Sequence, residues 1–210
     1  MTAIKSLNGF KAHIQVAEMQ DPTIIHESKS PEKPVNIVFS DGKDLEVIKV
    51  GPATIHILED GRNTDNQLAA VSVTLAPKTP GPTAIWHRMN STTFHITRGR
   101  LRFFTSPTAP ATTNGSSTSS NDQDSDIITT RIVKAGDFIV VPSCAIHHFD
   151  NPFDEEAVFL NTFSPAHYID AIRRIARETQ KAVKEGRFPL RPEEQLEIMR
   201  GWATFPPPVN

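Results

Sequence analysis

The sequence predicts a mainly β protein, a sandwich or barrel with helices added towards its C-terminal end. Short runs of β-branched and aromatic residues recur from residue 23 to residue 163, bounded by glycine, proline, asparagine or aspartate turns. After Ser164-Pro165 the apolar residues change to three-to-four spacing, the period of an amphipathic helix. Two histidine-bearing stretches, 84–99 and 136–151, organise the rest. Each reads as two short strands around a turn, the first carrying His87 and the second the His147-His148 pair.

The first β-like runs are 23–26, 35–39, 45–50, 54–58 and 69–75, with Asp41-Gly42, Gly51-Pro52 and Asp60-Gly61 among the turns that separate them. His56 alternates with Ile55 and Ile57, which turns it to the opposite face as a solvent-facing or internally satisfied strand histidine. Lys78-Thr79-Pro80-Gly81-Pro82 is a stiff loop into the first histidine stretch. A strand over 101–104 follows Gly99, and 105–125 is then rich in Ser, Thr, Pro, Asn and Asp, the composition of a flexible exposed insertion. Strand character resumes at 127–133 and again at 157–163.

Ser164-Pro165 supplies an N-cap and a first-turn proline for a helix with Ile169, Ile172, Ile175 or Ala176, and Val183 on its apolar side, stopped at Gly186. A second helix spans Pro192 to Gly201, with Leu196 and Met199 inward and Glu193-Glu194 in its first turn. Trp202 and Phe205 then pin the Pro206-Pro207-Pro208 tail to the body. The helices are expected to cap the barrel or join a dimer interface.

A chain of 210 residues, 38% hydrophobic and 22% charged, has the length and composition of one soluble domain with appendages. A formal charge of −2 with no Lys/Arg cluster argues against nucleic acid as a partner and leaves a small molecule or another protein. No run approaches the ~18 to 20 apolar residues of a membrane span, and residues 1–19 lack the pattern of a secretory signal. The single cysteine excludes an intrachain disulfide and a Cys-based zinc cluster. A cytoplasmic protein with no membrane partner is the expectation.

The spacing of Gly136, Pro142, Cys144, His147 and Asn151 resembles the second motif of the cupin superfamily, in which a glycine stands at the position of Cys144. Aligned on Gly99, the first stretch resembles the first cupin motif, with Ile85 and His87 at its two His positions and Thr92 at its Glu position. The phrasing around Trp86-His87-Arg88 and Phe163-Ser164-Pro165 is most similar to single-domain, quercetin-dioxygenase-like cupins. The resemblance spans roughly residues 45–165 and implies a double-stranded β-helix, or jelly-roll barrel; the expected domains are 1–165, the barrel with its N-terminal strands and the insertion at 105–125, and 166–210, a helical extension packed on it. The resemblance also implies a homodimer and, in metal-bearing members, iron, copper, nickel, manganese or zinc held by three His and a Glu.

Only His87 and His147 keep ligand-competent side chains at those positions, so the metal motif is degenerate. Ile85 cannot coordinate, the Thr92 hydroxyl is a poor ligand for a divalent ion, and two imidazoles fall short of a usual catalytic centre. Met89, placed by alternation on the face of His87, reads as wall packing rather than a soft ligand. His95 and His148 are expected to face away from the lumen. The functional reading is therefore a metal-independent acid–base pair, His87 and His147, with Thr92 and Asn161 as orienting groups.

Ile85, Met89, Phe94, Ile96, Arg102 and Phe149 are the expected substrate-binding wall of an apolar cavity. The substrate is expected to be an oxygenated apolar or aromatic metabolite that is cyclised, isomerised or dehydrated. The alternatives are a metal-dependent, quercetinase-like dioxygenase using His87, His147 and a third ligand, and a non-catalytic binding or interaction module. No GxSxG, P-loop or dinucleotide fingerprint is present, and Cys144 carries no sign of nucleophilic activation.

Overall fold

Ten strands and two helices in chain order, then a final two-residue strand, account for most of the chain that the computed structural model describes, namely residues 36–106, 129–187 and 189–207. They are β1 (Glu46–Val50), β2 (Ala53–Glu59), β3 (Ala69–Leu75), β4 (Trp86–His87), β5 (Ser91–Arg98), β6 (Arg100–Ser106), β7 (Thr129–Lys134), β8 (Phe138–Val141), β9 (Ile146–Asp150) and β10 (Ala157–Ser164), followed by α1 (Tyr168–Lys184), α2 (Pro192–Gly201) and β11 (Thr204–Phe205). The expected strand at 23–26 and all but the first residues of the insertion at 105–125 lie outside the described residues.

A six-stranded sheet runs β1-β2-β3-β10-β5-β8 and a three-stranded one runs β7-β6-β9, with every pairing antiparallel. The mainly β, jelly-roll class expected from the sequence is the one observed. Alternation decides the inner faces: Val71, Val73 and Leu75 on β3, Thr92, Phe94 and Ile96 on β5, and Phe159, Asn161 and Phe163 on β10 are buried, with partly exposed residues between them. The two sheets face each other through these side chains. Phe94 of the larger sheet meets Phe103 of β6 and Phe149 of β9 at ring-centroid distances of 5.2 and 5.6 Å.

Gly99 makes the turn from β5 to β6 with φ +72°, and a Cβ there would stand 2.2 Å from the Glu156 carbonyl oxygen. Only glycine combines that backbone with that approach. Asn151, which ends the second histidine stretch, is fully buried; its amide nitrogen donates to the carbonyls of Ala76 and Glu155 at 3.0 and 2.8 Å, stitching β9 to its neighbouring loops.

Some expectations are corrected. Residues 36–39 are not a strand, and Phe39 is 89% exposed. β10 continues to Ser164, so α1 opens only at Tyr168 and Ser164-Pro165 does not cap it. Within α1 the buried positions include Ile169, Ala176 and Ala182, and Val183 faces out, because Ala182 holds the inward position of that turn. In α2 Ile198 is the buried residue, with Leu196 and Met199 only partly covered beside it. Arg173 ties α1 to the sheet, pairing with Glu46 of β1 at 2.6 Å and with Asp60, just after β2, at 2.8 Å. From Val38 onward, barrel and helices form one compact unit.

Candidate functional site

Both histidine stretches meet at one end of the barrel because β4, only two residues long, is held by its neighbours rather than by its own length. Ile85 and His147 exchange backbone hydrogen bonds, at 3.0 and 2.9 Å, and the Cys144 amide donates to the His87 carbonyl at 2.7 Å. Cys144 adopts φ +69°, the left-handed conformation suited to the glycine that the cupin motif has there.

His87 and His147 are 3% and 5% exposed, and their ring centroids lie 5.4 Å apart. Burial lowers the pKa of His87 to about 3, with a further contribution from His147. Burial likewise lowers the His147 pKa, against a backbone hydrogen bond at Ala145 that raises it. Both rings are therefore neutral near pH 7. His147 Nδ1 lies 3.2 Å from the Ala145 carbonyl, which can only accept, so Nδ1 carries the proton and Nε2 the lone pair.

Beneath His147 lies an aromatic floor. Its ring is 6.1 Å from Phe94 and 6.4 Å from Phe103. Phe94, Phe149 and Phe159 pack on one another at 5.4 to 5.8 Å. Of the expected wall residues, Phe94 and Phe149 thus lie near the pair, Ile85 bonds to the His147 backbone, and Ile96, fully buried, packs in the core. Thr92 and Asn161 come together: Asn161 Nδ2 donates to Thr92 Oγ1 at 2.7 Å and to the Thr93 carbonyl at 2.8 Å, while Thr92 Oγ1 donates to the Thr162 carbonyl at 2.7 Å.

Met89 and Arg102 are not in the wall. The chain bends after His87, which ends the strand alternation, and leaves Met89 60% exposed. Arg102 lies between the buried Leu101 and Phe103 on β6, so it points outward, where its Nε donates to Asp150 Oδ1 at 3.0 Å. His95 and His148 lie on the outer faces as expected, against Phe138 and Phe104 respectively. A polar cleft of ≈ 450 Å³ lies elsewhere, lined by residues such as Asp41, Glu46, Asp60 and Arg173, and contains none of the histidines.

The donor set does not suit the metal that the family resemblance implies. Ile85 has no donor atom, and Thr92 Oγ1 is engaged with both Asn161 and Thr162. Among the described residues no group of three or more His, Cys, Asp or Glu side chains is placed to hold a metal ion.

Three residues at the site escaped the sequence reading. Tyr168, the first residue of α1, sets its ring edge-on to His87 at 4.4 Å and touches Phe163 at 5.0 Å; burial raises its phenol pKa to about 12. Thr204 of β11 is fully buried with Oγ1 2.8 Å from His87 Nδ1. Asn90, 1% exposed, continues the inward alternation of β5 beyond Thr92, and neither atom of its amide has a hydrogen-bond partner. No local signal marked Thr204, which lies 117 residues from His87 along the chain.

No family model and no curated protein matches the sequence. Among solved structures, the chain is similar to an RmlC-like cupin from Shewanella frigidimarina (20% identity, TM-score 0.45, 62% of this chain and 93% of that one). It is also similar to KdgF from a Halomonas species (15% identity, TM-score 0.46, 62% and 94%). An oxalate decarboxylase in a formate complex from Lactobacillus farciminis matches at 21% identity and TM-score 0.44 over 59% of this chain, which spans only 32% of that enzyme. The chemistry of this chain has to be read from its own residues.

Proposed function

We propose that this protein is a small-molecule enzyme in which His87 and His147 move protons on an oxygenated apolar or aromatic metabolite, cyclising, isomerising or dehydrating it without a metal. The observation that carries this reading is the pair of buried imidazoles, 5.4 Å apart, both held neutral by burial. A neutral Nε2 takes a proton from a carbon or oxygen acid of the substrate. The imidazolium so formed is disfavoured in dry surroundings and returns the proton at a second atom of the substrate. In a dehydration that second atom is the departing hydroxyl oxygen, and in no case is anything oxidised.

Tyr168 remains a neutral phenol to about pH 12 and is available as a hydrogen-bond donor beside His87. Asn90 offers an unpaired buried amide to orient a substrate oxygen, and the rings of Phe94 and Phe149 supply an apolar flank. Thr92 and Asn161 support the site by bonding each other across β5 and β10 rather than by reaching the reacting atoms.

The test is a pH–rate profile with oxygenated aromatic substrates, alongside His87→Gln and His147→Gln. Because burial lowers both pKa values, kcat/KM should stay level through pH 6.5, the ordinary histidine value, and fall only in more acid solution. Each substitution should cost roughly 100-fold or more. Turnover that survives both substitutions sinks the mechanism. Near-stoichiometric metal in protein purified without chelators, lost on His87→Ala, would favour the metal-dependent, dioxygenase-like reading instead, and binding without turnover would favour the non-catalytic one.

A further inference from the structure

β11 adds itself to β4 with Thr204 opposite His87 and Phe205 opposite Trp86. Phe205 stacks on Trp86 at 4.7 Å and lies 4.8 Å from the Arg88 guanidinium. Trp86 Nε1 donates to the Pro206 carbonyl at 3.1 Å, and the Arg88 amide donates to the Ala203 carbonyl at 2.9 Å. These contacts form a strap over 202–206 that covers His87 and seats the Thr204 hydroxyl against its ring.

We infer that the strap completes the site, with Thr204 as a positioning residue that fixes His87 in the Nδ1–H tautomer and so bares Nε2 for the substrate. What Nε2 then does rests on the acid–base reading above; the tautomer is a property of the resting protein. Thr204 Oγ1 has one proton and two neighbours, His87 Nδ1 at 2.8 Å and the Trp202 carbonyl at 3.3 Å. The carbonyl can only accept. Both contacts are hydrogen bonds at once only if the hydroxyl donates to Trp202 and accepts from His87 Nδ1–H.

His87 then matches His147, whose Nδ1 proton is held by Ala145, and the two rings present the same kind of nitrogen. Lifting the strap removes the acceptor at Nδ1 and frees the proton to move to Nε2, the atom that has to be bare.

Nitrogen NMR of ¹⁵N-histidine-labelled protein reads the tautomer directly, with His87 assigned by loss of its signals in His87→Gln. The expected wild-type spectrum shows a protonated Nδ1 and a bare Nε2 at His87. Thr204→Val, which keeps the shape and removes the acceptor, should give a mixture or the Nε2–H form, and Thr204→Ser should restore the wild-type pattern. On a turned-over substrate the valine variant should lose roughly tenfold or more in kcat with KM little changed. A wild-type spectrum with protonated Nε2, or a valine variant with the wild-type tautomer, overturns the inference. The wild-type spectrum decides the matter even if the valine variant does not fold. A protein with the expected tautomer but no turnover would sink the acid–base reading and leave this one standing.

Discussion

Cys144 bears local strain near the site, since φ +69° crowds its Cβ against the backbone. Cys144→Gly should therefore stabilise the protein by about 1 kcal/mol, offset in part by the extra freedom glycine gains in the unfolded chain. Thermal unfolding of the two proteins checks it, and a lower Tm for the glycine variant would mean that the thiol packs better than its backbone suggests. At this scale the sequence was a good guide wherever strand alternation held. It placed His87 and His147 inside and His95 and His148 outside, as found, and left open the facing of Thr92 and Asn161, which are buried. It failed at Met89, where a bend breaks the alternation, and at Arg102, where the alternation of Leu101 and Phe103 turns the arginine outward although it was expected in the wall.

Elements are held to one another by a few contacts whose removal should be measurable. Arg173 is the ion-pair tie between α1 and the β1–β2 edge, and its partner Asp60 has only 8% of its side chain exposed. Arg173→Met should cost about 1 to 3 kcal/mol, because Asp60 keeps Arg62 but loses a charged donor in a covered position. Denaturant melts would show it as a lower midpoint with an unchanged slope. Gly99→Ala is expected to cost more than about 1 kcal/mol, since the new methyl meets backbone rather than a movable side chain. An alanine variant as stable as the wild type would show that the β5–β6 turn can shift away from Glu156. The starts and stops of strands were legible from turn residues. The start of α1 was not, because an extended β10 took up the residues that spelled a helix cap.

For the molecule as a whole, the buried histidines make acid the weak side. His87 has a folded pKa of about 3 against 6.5 in the unfolded chain. Above pH 6.5 it is neutral in both states and has no effect; below that, only the unfolded chain takes up the proton, so stability falls as pH drops towards 3. The loss approaches about 1.4 kcal/mol per pH unit for each such group, and His147 acts in the same direction. Asp60, held below its ordinary 3.8 first by Arg62 and then by Arg173, adds its loss only in more acid solution. Tm measured from pH 7 to pH 4 should fall for the wild type and fall less for His87→Gln; parallel curves would show that the ring titrates normally in the fold. The barrel itself was legible because periodicity and turns repeat along the chain. Its closure by Tyr168 and Thr204 was not, because that depends on chain returning from 81 and 117 residues away.

The same turn that carries Cys144 also offers a way to watch the site. It is the sole cysteine of the chain, partly accessible, and its amide grips the strand that bears His87. A fluorinated thiol reagent attached there would sit at one known address without any engineered substitution. Its resonance would report whether the strand that bears His87 shifts as a small molecule arrives, turning an accident of composition into a built-in reporter.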